Sequence, residues 1–103
     1  MEISGQGGWN EAWEFPESLA DEIIQAFRNV ERVLELAGAS WEHVVDVHSY
    51  HVDLDPAVVL RAMAERFRHY RPGQPPIWTC LGVPTLADPK MRVEIRVTAI
   101  LPD

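Results

Sequence analysis

The sequence predicts an α+β fold in which two helices cover one face of a mixed β-sheet. Two amphipathic stretches alternate with shorter stretches that fit strands, and the predicted order of elements is β–α–β–α–β–β. The chain has 103 residues, of which 47% are hydrophobic and 24% charged, as in an ordinary globular domain. Length and composition together predict a single domain over 1–103.

The first element is a short strand within Met1–Gly8, which soon becomes glycine-rich and passes into a loop. A strand this short does not stand alone. We therefore expect it either to join a sheet built by later residues or to follow sequence that lies upstream of Met1. The next stretch, residues 10–16, predicts a loop.

Two helices follow from apolar residues that recur at three- and four-residue steps. The first is predicted over 17–37, with acidic residues in its first turn and Gly38 as its left-handed stop. For the second helix, Asp55 supplies an N-cap and Pro56 a first-turn proline. The apolar pattern continues this helix to about His69.

Three further strands complete the predicted sheet, over 44–54, 77–83 and 91–101. The last strand alternates cleanly, with Arg92, Glu94, Arg96 and Thr98 on one side. The first of the three is Val-rich without clean alternation, which indicates a strand covered on both faces. Because two helices cover only one face, we expect self-association to cover the other and to create a cleft between subunits.

Charge and composition exclude several functions. Nine basic residues against sixteen acidic ones give a formal charge of −7, so an extended nucleic-acid site is not expected. The single cysteine excludes an internal disulfide and fits a reducing compartment. No apolar run has the length of a membrane span, and the first residues lack the pattern of a signal peptide. We expect a soluble, cytoplasmic protein without a membrane partner.

Three residue sets suggest chemistry but have simpler explanations. His48 and His51 are three residues apart in a strand, so their side chains point to opposite faces and no metal site is expected. Cys80 fits a buried, inert thiol better than a nucleophile. Three tryptophans either line an apolar pocket or pack under loops, the ordinary role of such rings: Trp9, Trp13 and Trp78.

Five segments carry a resemblance to a known family. They are Ser4-Gly5-Gln6, Leu34-Glu35-Leu36-Ala37-Gly38-Ala39-Ser40, Val44-Val45-Asp46-Val47 with Tyr50, Arg71-Pro72, and Val93-Glu94-Ile95. In this order the chain resembles the Rid family, the RidA or YjgF-like proteins also labelled endoribonuclease L-PSP. Relative to the family pattern, the first strand and most of the first hairpin are absent upstream of Met1.

The resemblance implies a chorismate-mutase-like fold assembled as a homotrimer, with three clefts between neighbouring subunits. Catalytic members of the family hydrolyse reactive enamines and imines to 2-oxo acids and ammonia, and they need no metal or cofactor. The function expected from the resemblance is therefore that of an imine deaminase, a hydrolase acting on a small metabolite at the subunit interface.

Site residues are carried over by position from the family. Glu94 falls at the glutamate that activates water, and Gly5 falls at the glycine that lines the cleft. Gln74 stands where catalytic members have the arginine that binds the substrate carboxylate, and Pro76 stands at a cysteine-bearing position. Arg71 either replaces the missing anion contact or is an ordinary solvated loop arginine.

The exchange of arginine for Gln74 leaves more than one function open. A neutral amide binds a carboxylate less strongly than a guanidinium, and Pro75 and Pro76 remove two backbone N–H donors. The expected function is hydrolysis of an imine or enamine with altered specificity. The alternative is a non-catalytic Rid homologue that binds a metabolite or protein, and endoribonuclease activity is the least favoured.

Overall fold

The computed structural model describes residues 1–102, so Asp103, the last residue of the predicted domain, lies outside the described residues. These described residues form four strands, two helices and one 3₁₀ turn. In order, these are β1 (Glu2–Gly7), α1 (Leu19–Leu36), the 3₁₀ turn (Trp41–His43), β2 (Val44–Val52), α2 (Pro56–Tyr70), β3 (Ile77–Val83) and β4 (Val93–Ala99).

The strands form one sheet in the order β1-β4-β2-β3. β2 and β3 are parallel, as expected for strands joined through a helix, whereas β4 runs antiparallel to both β1 and β2. The two helices pack on one face of this mixed sheet and leave its other face open. The predicted α+β class and the order of its elements are therefore confirmed.

α1 and β2 are shorter than the sequence predicted, because local interactions begin or end them inside the range of the apolar pattern. α1 begins at Leu19 rather than at residue 17, because the Ser18 side chain accepts from the backbone N–H of Asp21 at 3.0 Å. β2 ends at Val52 because Asp53 takes a left-handed backbone with φ of 53°.

The core lies between the helices and the sheet and is built around stacked rings. Phe27 of α1 packs against Trp41 with ring centroids 4.9 Å apart, and against Phe67 of α2 at 5.5 Å. Aliphatic side chains from β2 and β4 complete this core on the sheet side, among them Val47, Val93 and Ile95. Among residues 1–102, no helix combines the length and apolarity needed to cross a bilayer.

β2 is covered on one face within the protomer, and the cover of its other face by a further copy stays a prediction. Ser49 and His51 point into the core although they are polar, and the pairing with β4 is irregular between Val44 and Asp46. These two features obscure the alternation that a half-covered strand would otherwise show. The open face carries the side chains of Asp46, His48 and Tyr50.

Candidate functional site

The carboxylate of Glu94 lies on the open face of β4, half-buried and without a charged partner. Because Arg92 and Arg96 lie two residues before and after Glu94 in the sequence, an ion-pair network with them is the simplest structural role for this carboxylate. The structure places both arginines elsewhere: Arg92 Nε donates to Glu22 Oε1 at 2.7 Å, and Arg96 Nη2 donates to Glu2 Oε2 at 3.3 Å. Within residues 1–102, the Glu94 carboxylate forms neither an ion pair nor a hydrogen bond, so it is available to a ligand or a water.

Gly5 leaves the space that this carboxylate occupies. A Cβ atom at Gly5 would lie 2.7 Å from Cδ of Glu94, closer than any ordinary contact between the two. The pairing of β1 with β4 is also irregular between Ile3 and Gln6, where Gly5 lies. The structure thus brings together two of the predicted site residues, Gly5 and Glu94.

The loop that carries Gln74 is fixed by Arg71. Arg71 Nε donates to the Gln74 carbonyl at 3.0 Å, and its Nη1 donates to the carbonyls of Glu42 and Val44, the latter at 2.8 Å. The guanidinium is therefore not that of a solvated loop arginine, because it connects the loop to the start of β2. The Gln74 side chain is exposed beside a shallow pocket of about 250 Å³, and Pro76 is half-buried just before β3.

The two groups of predicted site residues lie at opposite ends of the sheet in one protomer. Glu94 is opposite Tyr50 on β2, whereas the residue after the Gln74 loop, Ile77, is opposite Asp46. Four residues of strand separate these rows, or roughly 13 Å at 3.3 Å per residue. Within one protomer, the two groups of predicted site residues therefore do not contact each other.

The histidines of β2 lie on opposite faces of the sheet. His48 is half-exposed, with Nε2 at 3.2 Å from Asp46 Oδ2, whereas His51 is buried with Nε2 at 2.8 Å from Ser49 Oγ. Burial lowers the pKa of His51 to about 4, so the ring is neutral near pH 7. Cys80 is half-buried against the core, in line with a packing role.

The structure adds two features: it places Tyr50 beside Glu94, and it shows Trp9 and Trp13 lining a pocket, one of the two placements that the sequence left open for these rings. Tyr50 lies directly across from Glu94 in the β2–β4 register, so its phenol belongs to the same patch of the open face. The second is a pocket beside α1 that holds two tryptophans and two arginines. Neither follows from spacing alone, because strand register and loop packing determine both.

The comparisons with known proteins agree on one family. The family model for endoribonuclease L-PSP matches residues 1–101. Among solved structures, a conserved Rid-family protein of unknown function, YyfB from Yersinia pestis, is 32% identical. The alignment covers 98% of this chain and 77% of that one, with a TM-score of 0.88.

Two further structures show the same likeness. RidA from the Antarctic bacterium Psychrobacter is 28% identical over 97% of this chain and 79% of its own, with a TM-score of 0.84. A YjgF-family protein from Neisseria meningitidis is 25% identical over 99% of this chain and 79% of its own, with a TM-score of 0.80. Among curated proteins, none matches the chain. The match to the family model over nearly all of the described residues shows that this chain belongs to the endoribonuclease L-PSP family, the Rid proteins.

Proposed function

We propose that this protein hydrolyses a small imine or enamine to a carbonyl compound and ammonia, in a cleft between subunits of a homotrimer. The observation that carries the proposal is the Glu94 carboxylate, which is half-buried beside Gly5 and free of both neighbouring arginines. A carboxylate without a counter-ion is a better proton acceptor than one held in an ion pair. Family membership supports the same choice of residue.

Exposed apolar side chains on the open face support the part of the proposal that concerns assembly. On the open face, Ile77 is 74% exposed and Leu81 is 45% exposed, so the edge strand β3 presents two aliphatic side chains to solvent. Covering this face with further copies would bury both side chains. It would also allow the Gln74 loop of one subunit to approach Glu94 and Gly5 of the next.

The reaction needs only water and a proton relay. Water attacks the C=N carbon while Glu94 accepts one of its protons and delivers that proton to the imine nitrogen, which gives a neutral carbinolamine. Glu94 then accepts the hydroxyl proton of the carbinolamine and returns it to the nitrogen. The carbinolamine then forms C=O as its C–N bond breaks, and ammonia leaves with the returned proton. In this scheme Gln74 orients the substrate by hydrogen bonds, Pro76 lines the cleft, Arg71 holds the loop, and Gly5 permits close approach.

A coupled assay tests the proposal directly. An amino-acid oxidase generates imines in place, and release of ammonia is followed with and without the protein. We expect acceleration by the natural chain and a loss of at least about 100-fold in Glu94→Ala, since general-base catalysis contributes that much. Glu35→Gln, which changes an exposed acid of α1, is the control and retains the rate. No acceleration on any imine, under conditions where an authentic RidA works, contradicts the proposal.

Binding without turnover is the second candidate, and Gln74 favours it. A side chain without charge and two prolines without N–H groups make a weak anion site beside the cleft. Calorimetry with 2-oxo acids separates the two candidates, because saturable binding without ammonia release supports a metabolite-binding protein. Ribonuclease activity is disfavoured by the charge of −7, and RNA cleavage by the purified chain without added metal would reverse that view.

The assembly is tested separately from the chemistry. We expect sedimentation to give three times the mass of one chain, and Leu81→Asp to shift the mass to that of a folded monomer. A folded lone subunit of the natural chain at micromolar concentration would contradict the shared cleft. A cytoplasmic location remains part of this proposal and fits the reactive metabolites it concerns.

A further inference from the structure

A pocket between α1 and the loop after β1 lies outside the proposed cleft. It has a volume of about 340 Å³, at the lower end of the range for small-molecule sites. None of the residues assigned to the cleft lines it. The pocket is formed where the loop after β1 packs on α1, and its lining is Trp9, Asn10, Glu11, Trp13, Gln25, Arg28, Asn29 and Arg32.

The helix side of the pocket carries two uncompensated positive charges. Arg28 and Arg32 are one turn apart on α1, so their guanidinium groups extend from the same side of the helix. Neither forms an ion pair with any of residues 1–102, although the chain carries a net charge of −7. Two adjacent free guanidinium groups attract an anion by charge and by planar hydrogen bonding.

The loop side supplies an aromatic wall. The rings of Trp9 and Trp13 have centroids 5.2 Å apart, and Trp13 is 70% exposed. Trp13 also has a φ of 61°, a left-handed conformation that is costly for a bulky residue. An exposed ring held in a strained backbone stabilises the protomer little, which is consistent with a role in contacting a ligand.

The pocket is rigid before any ligand arrives. Asn10 Oδ1 accepts from the backbone N–H groups of Ala12 and Glu14, at 2.8 and 2.9 Å, and so fixes the loop that holds Trp13. On the floor, buried Asn29 donates to the carbonyls of Gly7 and Trp9, at 2.7 and 2.8 Å. A preformed pocket loses little entropy on binding.

We propose that this pocket binds a small planar aromatic molecule that carries a carboxylate or a phosphate. The ring stacks on Trp13, and the anionic group binds Arg28 and Arg32. Glu11 lines the loop side and repels negative charge there, so the anionic end of the ligand lies toward α1. This proposal is independent of the imine chemistry, and it does not require the assembly.

Three matched probes test it by NMR of the tryptophan side-chain N–H groups: 2-naphthoate, 2-naphthyl phosphate and neutral 2-naphthamide. We expect saturable shifts at Trp9 and Trp13 with dissociation constants of about 1 mM or below, and none at buried Trp41. The tighter of the two anions identifies the charged group, and the amide binds at least about tenfold more weakly. No saturation by about 10 mM, or equal binding of the amide, would overturn the proposal.

Four variants separate binding from folding. Arg28→Gln and Arg32→Gln each weaken the better anion about tenfold, whereas Arg61→Gln, an exposed arginine of α2, does not. Trp13→Gly relieves the positive φ, so thermal stability is retained while binding is lost. Natural affinity in either pocket arginine variant, or in a folded Trp13→Gly, would show that the pocket does not recognise the anion or the ring.

Discussion

Polar side chains on the two faces of the sheet differ in whether they have hydrogen-bond partners. On the face covered by helices, Trp78 Nε1 donates to Ser49 Oγ at 2.9 Å, and Ser49 in turn contacts His51. On the open face, the Glu94 carboxylate has no such partner in residues 1–102, and Ile77 is 74% exposed. A buried polar group costs stability unless it is paired, whereas an unpaired one at the surface is free to act on a ligand. The paired groups of the covered face therefore stabilise the fold, whereas the proposed function depends on the unpaired groups of the open face.

The largest expected effect compares two glutamates that differ in their partners. Glu22 is fully buried and accepts from both the backbone N–H and Nε of Arg92, at 2.8 and 2.7 Å. Glu22→Ala leaves Arg92 without its partner and opens a cavity, so we expect a loss of about 3 kcal/mol in the free energy of unfolding. Glu94→Ala, the same change on the open face, costs less than about 1 kcal/mol.

Urea unfolding of both variants measures this difference. Arg92 is 36% exposed in its side chain, which keeps the expected loss at the low end of the range for buried ion pairs. Equal stability of the two alanine variants would show that the faces do not differ as we infer.

The next effect concerns pH and the buried His51. Its folded pKa of about 4 lies below the ordinary 6.5, so the unfolded chain binds a proton more readily than the folded one. The contribution of neutral, buried His51 to the free energy of unfolding is therefore fully present above pH 6.5 and is lost as the pH falls toward 4. A shift of this size corresponds to about 3 kcal/mol.

To check the prediction, the free energy of unfolding is measured at several pH values in this range for the natural chain and for a variant without His51. His51→Leu removes the titrating ring, and its profile is flatter than that of the natural chain. His48→Gln, on the open face, is the control for removal of a half-exposed imidazole. If His51→Leu keeps the natural slope, burial of this ring does not govern acid stability.

Alanine substitution at two glycines, Gly8 and Gly5, compares an effect on the free energy of unfolding with an effect on imine hydrolysis. A Cβ at Gly8 would meet the Glu22 backbone, with the Glu22 carbonyl carbon 2.9 Å away, whereas a Cβ at Gly5 meets only the Glu94 side chain. Backbone moves less readily than a side chain, so we expect Gly8→Ala to cost about 1–3 kcal/mol and Gly5→Ala distinctly less. Gly5→Ala displaces the carboxylate and lowers imine hydrolysis instead. Thermal unfolding and the ammonia assay measure the two effects, and the reverse order would contradict the assignment.

Most of the fold follows from the sequence because period and caps are local signals. The strict alternation in β4 and the start at Pro56 of α2 were predicted, and the strand over 77–83 agrees with β3 at both ends. The uneven pattern of β2 was harder to interpret because Ser49 and His51 are polar and buried together, a pairing that needs a third residue, Trp78, from another strand. A contact between residues this far apart leaves no periodic trace in the sequence.

The candidate site was less accessible to sequence reasoning. Position alone indicated Glu94, but its freedom from Arg92 and Arg96 depends on Glu22 and Glu2, which lie more than 60 residues away in the chain. The role of Arg71 in holding its loop was missed for a related reason. Its acceptors are backbone carbonyls, which any residue can supply, so no residue type in the sequence marks them. Spacing thus identifies which side chains carry chemistry, and packing decides which of them are free.

The smallest effect concerns the loop at the far end of the open face. Gln74 is exposed in the protomer, so Gln74→Arg changes the unfolding free energy by less than about 0.5 kcal/mol. If the loop of one subunit completes the site of the next, the added guanidinium binds a substrate carboxylate by a charged pair of hydrogen bonds. We expect affinity for pyruvate, a stable 2-oxo acid, to rise about tenfold by calorimetry. Gln74→Lys, with charge but no planar fork, gains less. Unchanged affinity in both variants would place the loop outside the cleft and leave the open face with Glu94 alone.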